Sequence, residues 1–267
     1  MVHPLRALLS FLSVVALALP SAAQKDPAKD PAKGPDKEVA EKIALLKEVV
    51  ADKKFTRDAE GLQVIDQLLQ KTQAQPGPDP KDQKDIVKAL EHVLSQGKAR
   101  PHDKTELYVG AAQALGYCGA DGAKVLHGAY LNKNRYPEKP DWVPFREHVL
   151  KNLGRTKDET MVKFLVKEAR QNPEAALQAA AGEALGNFDE SKEALRKEIV
   201  GELLVRYGEL DEKASQIGTN IEAQNAQDRL AALQEKWNGT LAKLTRQNHT
   251  KLREWQVWYN KNKDKAW

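Results

Sequence analysis

Cysteine is almost missing from this chain. Cys118 stands alone among 267 residues, so there is no internal disulfide and no pair of thiolates for a zinc site. Aromatic residues are scarce at 6%, and no segment alternates Val, Ile, Thr and Tyr against polar residues, which argues against a sheet. Long hydrophobic runs are missing too. The longest, Leu8 to Leu19, is too short for a stable membrane span. Charge of a single sign is equally absent, because 42 basic and 38 acidic residues are interleaved along the chain. A net charge of +4 distributed in this way does not imply a nucleic-acid partner.

Catalytic signatures are missing as well. The sequence has no Gly-x-Gly-x-x-Gly, no phosphate-binding Gly-x-x-x-x-Gly-Lys-Ser/Thr, no Gly-x-Ser-x-Gly elbow and no His-Glu-x-x-His. No two of its six histidines are spaced i,i+4. His127 and His148 could approach across a hairpin as a weak metal site, but the plainer reading makes them polar residues at helix edges. No catalytic, cofactor-binding or metal-binding residue can therefore be assigned. An enzymatic role is the less favoured one.

What is present is helical. Residues 1–23 read as a secretory signal: Arg6 gives a basic start, Leu8 to Leu19 an apolar stretch, and Pro20-Ser21-Ala22-Ala23 a small-residue cleavage step. Residues 24–37 repeat Asp-Pro-Ala-Lys and lack the apolar side chains to build a core, so they are expected to form a solvated linker. The expected location is exported, periplasmic or extracellular. Apolar stripes at helical spacing then predict helices over about 38–52, 57–72 and 82–96, and later over 144–153, 158–171, 173–186 and 189–207.

A recurring step organises the middle of the chain. Leu115-Gly116, Leu153-Gly154 and Leu185-Gly186 each end an apolar helical run and precede a second apolar pattern. The glycines are 38 and 32 residues apart, the spacing of a two-helix repeating unit. Gly would end each helix because it adopts positive φ without steric cost. Gly119 and Gly122 are expected to lie in the tight turn that follows the first step. An insertion at Asn132 to Pro144 accounts for the longer first interval and holds Trp142. This tryptophan either faces a partner from the insertion or folds back over its hairpin.

The segment Ala180-Ala181-Gly182-Glu183-Ala184-Leu185-Gly186-Asn187, with Glu193-Ala194-Leu195 after it, resembles HEAT-like repeats, including the short bacterial variety named after a lyase. Leu177-Gln178 stands where that family has Val-Arg. The resemblance covers roughly residues 104–208 and extends weakly over 38–96. It implies an all-α fold, an α-solenoid of HEAT-like helical hairpins over 38–208, and a non-enzymatic module that binds a protein or peptide. An envelope-associated structural role is the alternative.

Residues 209–267 look different in kind. The stretch 210–236 reads as one long polar helix, and four of the five tryptophans follow residue 236. Trp255, Trp258, Tyr259 and Trp267 would cap the open end of the stack, dock a partner, or give weak contact with a membrane surface beside Lys261, Lys263 and Lys265. Asn238-Gly239-Thr240 and Asn248-His249-Thr250 match glycosylation acceptors.

Overall fold

The computed structural model describes residues 36–75, 77–216 and 221–267. The expected secretory signal, 1–23, and nearly all of the expected linker, 24–37, lie outside these residues. Among the described residues the protein is all-α: eleven α-helices and three 3-10 turns, with no strand. It forms one compact unit over Pro35–Trp267.

Two of the first three helices start where an aspartate satisfies a free backbone N–H group. Helix α1, Lys37–Ala51, is capped by the Asp36 carboxylate, which accepts from the Glu38 N–H at 2.9 Å. Helix α3, Pro80–Ser95, has proline in its first turn, and Asp79 accepts from the Lys81 N–H at 2.8 Å. Between them α2 spans Asp58–Gln73. Helices α4, Glu106–Leu115, and α5, Gly119–Leu131, follow, and the short turn Pro140–Trp142 leads into α6, Val143–Arg155. Then come α7, Val162–Gln171, α8, Ala175–Leu185, and α9, Glu193–Ala214. The chain ends with α10, Ile221–Thr245, and α11, Leu252–Asn262.

The packing has a simple order. Each helix lies against its neighbour in the chain or the one two steps away. The even helices form an unbroken ladder, α2 on α4, α4 on α6, α6 on α8 and α8 on α10. The odd helices pair as α1 on α3, α3 on α5, α7 on α9 and α9 on α11. Between α5 and α7 the link is made by side chains. The Tyr130 hydroxyl donates to Glu168 at 2.6 Å, and Phe164 meets the rings of His127 and Tyr130 edge-on. One continuous apolar core runs through the unit, from Val39 to Trp255.

The Leu-Gly steps are real contact points, but not for the expected reason. Gly116 and Gly186 have φ of −57° and −66°, ordinary helical values, and Gly154 lies inside α6. The only glycines at positive φ among the described residues are Gly97 and Gly119. What the three steps share is close approach to the next even helix. A Cβ at Gly116 would sit 3.0 Å from Asn152 Oδ1 of α6, and one at Gly186 would sit 3.0 Å from Thr240 Oγ1 of α10. At Gly154 it would overlap the Ala184 carbonyl of α8. Leu115, Leu153 and Leu185 are all fully buried beside these points. The glycine admits the neighbouring backbone, while the leucine supplies the apolar contact. Gly122 is likewise not in a turn: it lies in the first turn of α5, against the Leu115 carbonyl.

Two other expectations change. The boundary at 208 falls inside α9, where Gly208 faces Gln256 of α11. The stretch 210–236 is not one helix, because α9 ends at Ala214 and α10 begins at Ile221. Helix α10 takes the next even position, against α8 and α9, so the last 60 residues continue the same packing order instead of forming a separate extension.

Candidate interaction surfaces

The five aromatic residues that are candidates either to meet a partner or to close the fold do not form one surface. Trp142 is only 8% exposed. It closes the Pro140–Trp142 turn with its ring edge against Tyr136 and Phe145. The insertion around it folds inward because its polar groups are satisfied there. The Tyr136 hydroxyl donates to the Leu94 carbonyl at 2.6 Å, and the buried Arg146 guanidinium donates to the carbonyls of Tyr130 and Tyr136. Burial raises the Tyr136 hydroxyl pKa well above its ordinary value.

At the C-terminal end, Trp255 is fully buried, and its indole N–H donates to Asn238 Oδ1 at 2.9 Å. Tyr259 is half-buried, with its hydroxyl over Gly201 of α9, where a Cβ would lie 2.7 Å away. Trp267 is half-buried beneath Arg196 and Lys197, and Arg196 donates to its carbonyl at 2.8 Å. These three residues hold α11 and the C-terminus onto α9 and α10. Trp258, half-buried and edge-on to Trp267 at 5.0 Å, is the one member of the set that also lines a surface depression.

Two concave surfaces stand out among the described residues. The first is a groove of about 550 Å³ between α3 and α5. Val87, Leu94, Val125 and Ala129 give it an apolar floor, and exposed Lys84, Lys88, Glu91, Asp121 and Lys124 form its rim. It stays open because α5 presents Gly128 there, and a Cβ at Gly128 would meet nothing within 4 Å. Glycine in a helix interior costs about 1 kcal/mol relative to alanine. Here no close neighbour requires that cost, and the only consequence in the structure is empty space. The legible signal was an unexplained glycine inside an apolar helical pattern.

The second is a depression of about 750 Å³ on the outer side of α11, lined by His249, Lys251, Arg253, Val257, Trp258 and Lys261 among others. Val257 is 61% exposed, an unusual position for a β-branched apolar residue on a helix that has a buried side available.

Among the described residues there is no group of three His, Cys, Asp or Glu side chains able to hold a metal ion. His127 packs edge-on to Phe164, and His148, on α6, has its pKa lowered by burial and by Lys151. Cys118 is buried with its thiol pushed up to about 11 by desolvation, so it is held protonated and unreactive. Tyr130 is raised by burial and by Glu168, whose carboxylate also accepts from Asn172, and this cluster joins α5 to α7 without opening onto either concavity. Of the two glycosylation patterns, Asn238 is engaged by Trp255 and by the Thr250 carbonyl, whereas Asn248 lies exposed in a loop. No helix among the described residues is long and apolar enough to cross a membrane. Compared with family models, curated proteins and solved structures, the chain finds no match.

Proposed function

We propose that this chain is an exported, non-enzymatic scaffold: a HEAT-like α-solenoid of hairpins α1/α2, α3/α4, α5/α6, α7/α8 and α9/α10, with α11 covering one end, that holds a protein or peptide partner. The alternating ladder of odd and even helices supports the solenoid reading, as does the repeated glycine contact between successive even helices. Export rests on the sequence of residues 1–23. The observation that carries the binding role is the groove between α3 and α5, apolar at its floor, charged at its rim and kept open by a glycine with no other use. Such a surface excludes water from an apolar anchor and leaves the rim charges to select its orientation.

The test fills the groove without touching the core. Gly128→Leu adds a side chain where nothing stands within 4 Å. The variant is expected to be at least as stable as the parent, since Leu is a better helix former by several tenths of a kcal/mol. A partner retained from the exported fraction by the parent and lost by the variant supports the reading. Retention unchanged in Gly128→Leu, or no partner retained by either protein, overturns it.

A further inference from the structure

The outer side of α11 has a distinct chemistry. Its inner side is occupied, with Leu252 and Trp255 buried and Tyr259 lying over Gly201. Its outer side places Val257 and Trp258 in the depression, with Lys251, Arg253 and Lys261 around them. All three cations are exposed, and none forms an ion pair among the described residues. They belong to a wider imbalance: of the last 25 side chains, seven are basic and two acidic, within a protein whose total is only +4. Glu254 also lines the depression, with its carboxylate turned to the N–H groups of Thr250 and Lys251 at the start of the helix, so three cations stand there against one carboxylate.

We propose that this depression docks an acidic peptide segment of a partner protein. An apolar anchor of that segment lies over Val257 and Trp258, and its carboxylates face Lys251, Arg253 and Lys261. The proposal rests on the scaffold reading and adds a second surface with a stated partner chemistry. A bilayer fits less well. Partition into lipid needs a broad apolar face, and α11 spends Leu252, Trp255 and Tyr259 on the protein interior, leaving two apolar residues outside. A concave surface with a small apolar floor and a cationic rim suits an extended acidic strand, with charge complementarity providing orientation and encounter rate.

The test titrates the purified protein with a labelled hexapeptide in which one phenylalanine stands among carboxylate residues. Saturable binding is expected, weaker by about tenfold or more in the double variant Arg253→Glu, Lys261→Glu. Both side chains are exposed, so circular dichroism and melting temperature should not change. Replacing the phenylalanine of the peptide by alanine should weaken binding by a similar factor. No saturable binding, or equal binding by the double variant, overturns the proposal. So does binding to vesicles containing 30% phosphatidylglycerol, lost in the double variant, when the peptide itself does not bind: that pattern assigns the face to a lipid surface. Gly128→Leu separates the two readings. If the peptide fails while Gly128→Leu still abolishes partner retention, only the α11 assignment falls. If both tests fail, the scaffold reading falls with it.

Discussion

The even ladder and the groove between α3 and α5 use glycine to opposite ends. In the even ladder, Gly116, Gly154, Gly182 and Gly186 each touch the next helix so closely that a methyl group would press on or overlap it. In the groove, Gly128 of α5 touches nothing within 4 Å, although Gly122 of the same helix lies against the Leu115 carbonyl. A glycine in an apolar helical pattern therefore has no fixed meaning. It is a point of contact where a neighbouring backbone needs its space, and an opening where nothing fills it. The contacts of the even ladder join successive helices, whereas the surface beside Gly128 stays open.

This contrast can be broken at several points. The largest effect is expected from Trp237→Ala in α10. Trp237 is fully buried across Gly182 and edge-on to Tyr207, and removing it should cost about 3–5 kcal/mol. Chemical denaturation should show this as a lower midpoint with a similar slope. An effect under about 1 kcal/mol would mean that α10 is not an integral member of the even ladder.

Next is a matched pair in which one substitution has opposite signs in the ladder and in the groove. Gly154→Ala should destabilise by about 1–3 kcal/mol, since the methyl group meets the Ala184 carbonyl. Gly128→Ala should stabilise by up to about 1 kcal/mol, through reduced freedom of the unfolded chain. In thermal melts each kcal/mol corresponds to about 2–4 °C for a chain of this size. The same sign for both variants would remove the distinction between ladder and groove.

The smallest effect concerns pH. His148 on α6 and His92 on α3 both have pKa values lowered, mainly by burial and secondarily by Lys151 and Lys47 respectively. A histidine with a depressed folded pKa binds fewer protons folded than unfolded. Its stabilising contribution is complete above the unfolded value of about 6.5 and declines as pH falls below it. Melting temperature should therefore fall modestly between pH 7 and pH 5, and His148→Gln should flatten part of that slope. A slope identical in the variant would show that His148 does not contribute.

Much of the helical content was legible from apolar periodicity. The stripe Val39, Leu46, Val49 and Val50 and the stripe Ile86, Leu90, Val93 and Leu94 bury as their spacing requires, and the helix ends at 51, 73 and 95 fall close to the expected ones. At the start of α3 the fixed φ of Pro80 and the Asp79 carboxylate accepting from the Lys81 N–H are both local, and the helix begins two residues before the expected 82. The continuation of α9 through Gly208 could not. A lone glycine within a helix is tolerated when a neighbour packs beside it, and that neighbour, α11, lies some 50 residues further along the chain.

The aromatic residues were the least legible. Tryptophan offers a large apolar body and one N–H donor, qualities that suit a core and an interface equally. Trp142 and Trp255 went to the core because the inward-folded insertion and Asn238 gave them room and a hydrogen-bond partner, features that spacing does not encode. Trp258 lies at the edge of that core because α11 had already placed Trp255 and Tyr259 on its inner side.

The amino-acid sequence by itself determined that this protein is all-helical, where most of its helices lie, and that small residues recur where helices end, because helical periodicity and capping act over four residues or fewer. Tertiary structure alone decided which glycines are contacts and which are openings, which tryptophans are buried, and that the C-terminal helices continue the same packing order. Those outcomes depend on which backbone arrives opposite each side chain, and the arriving backbone belongs to a helix 30 to 60 residues away.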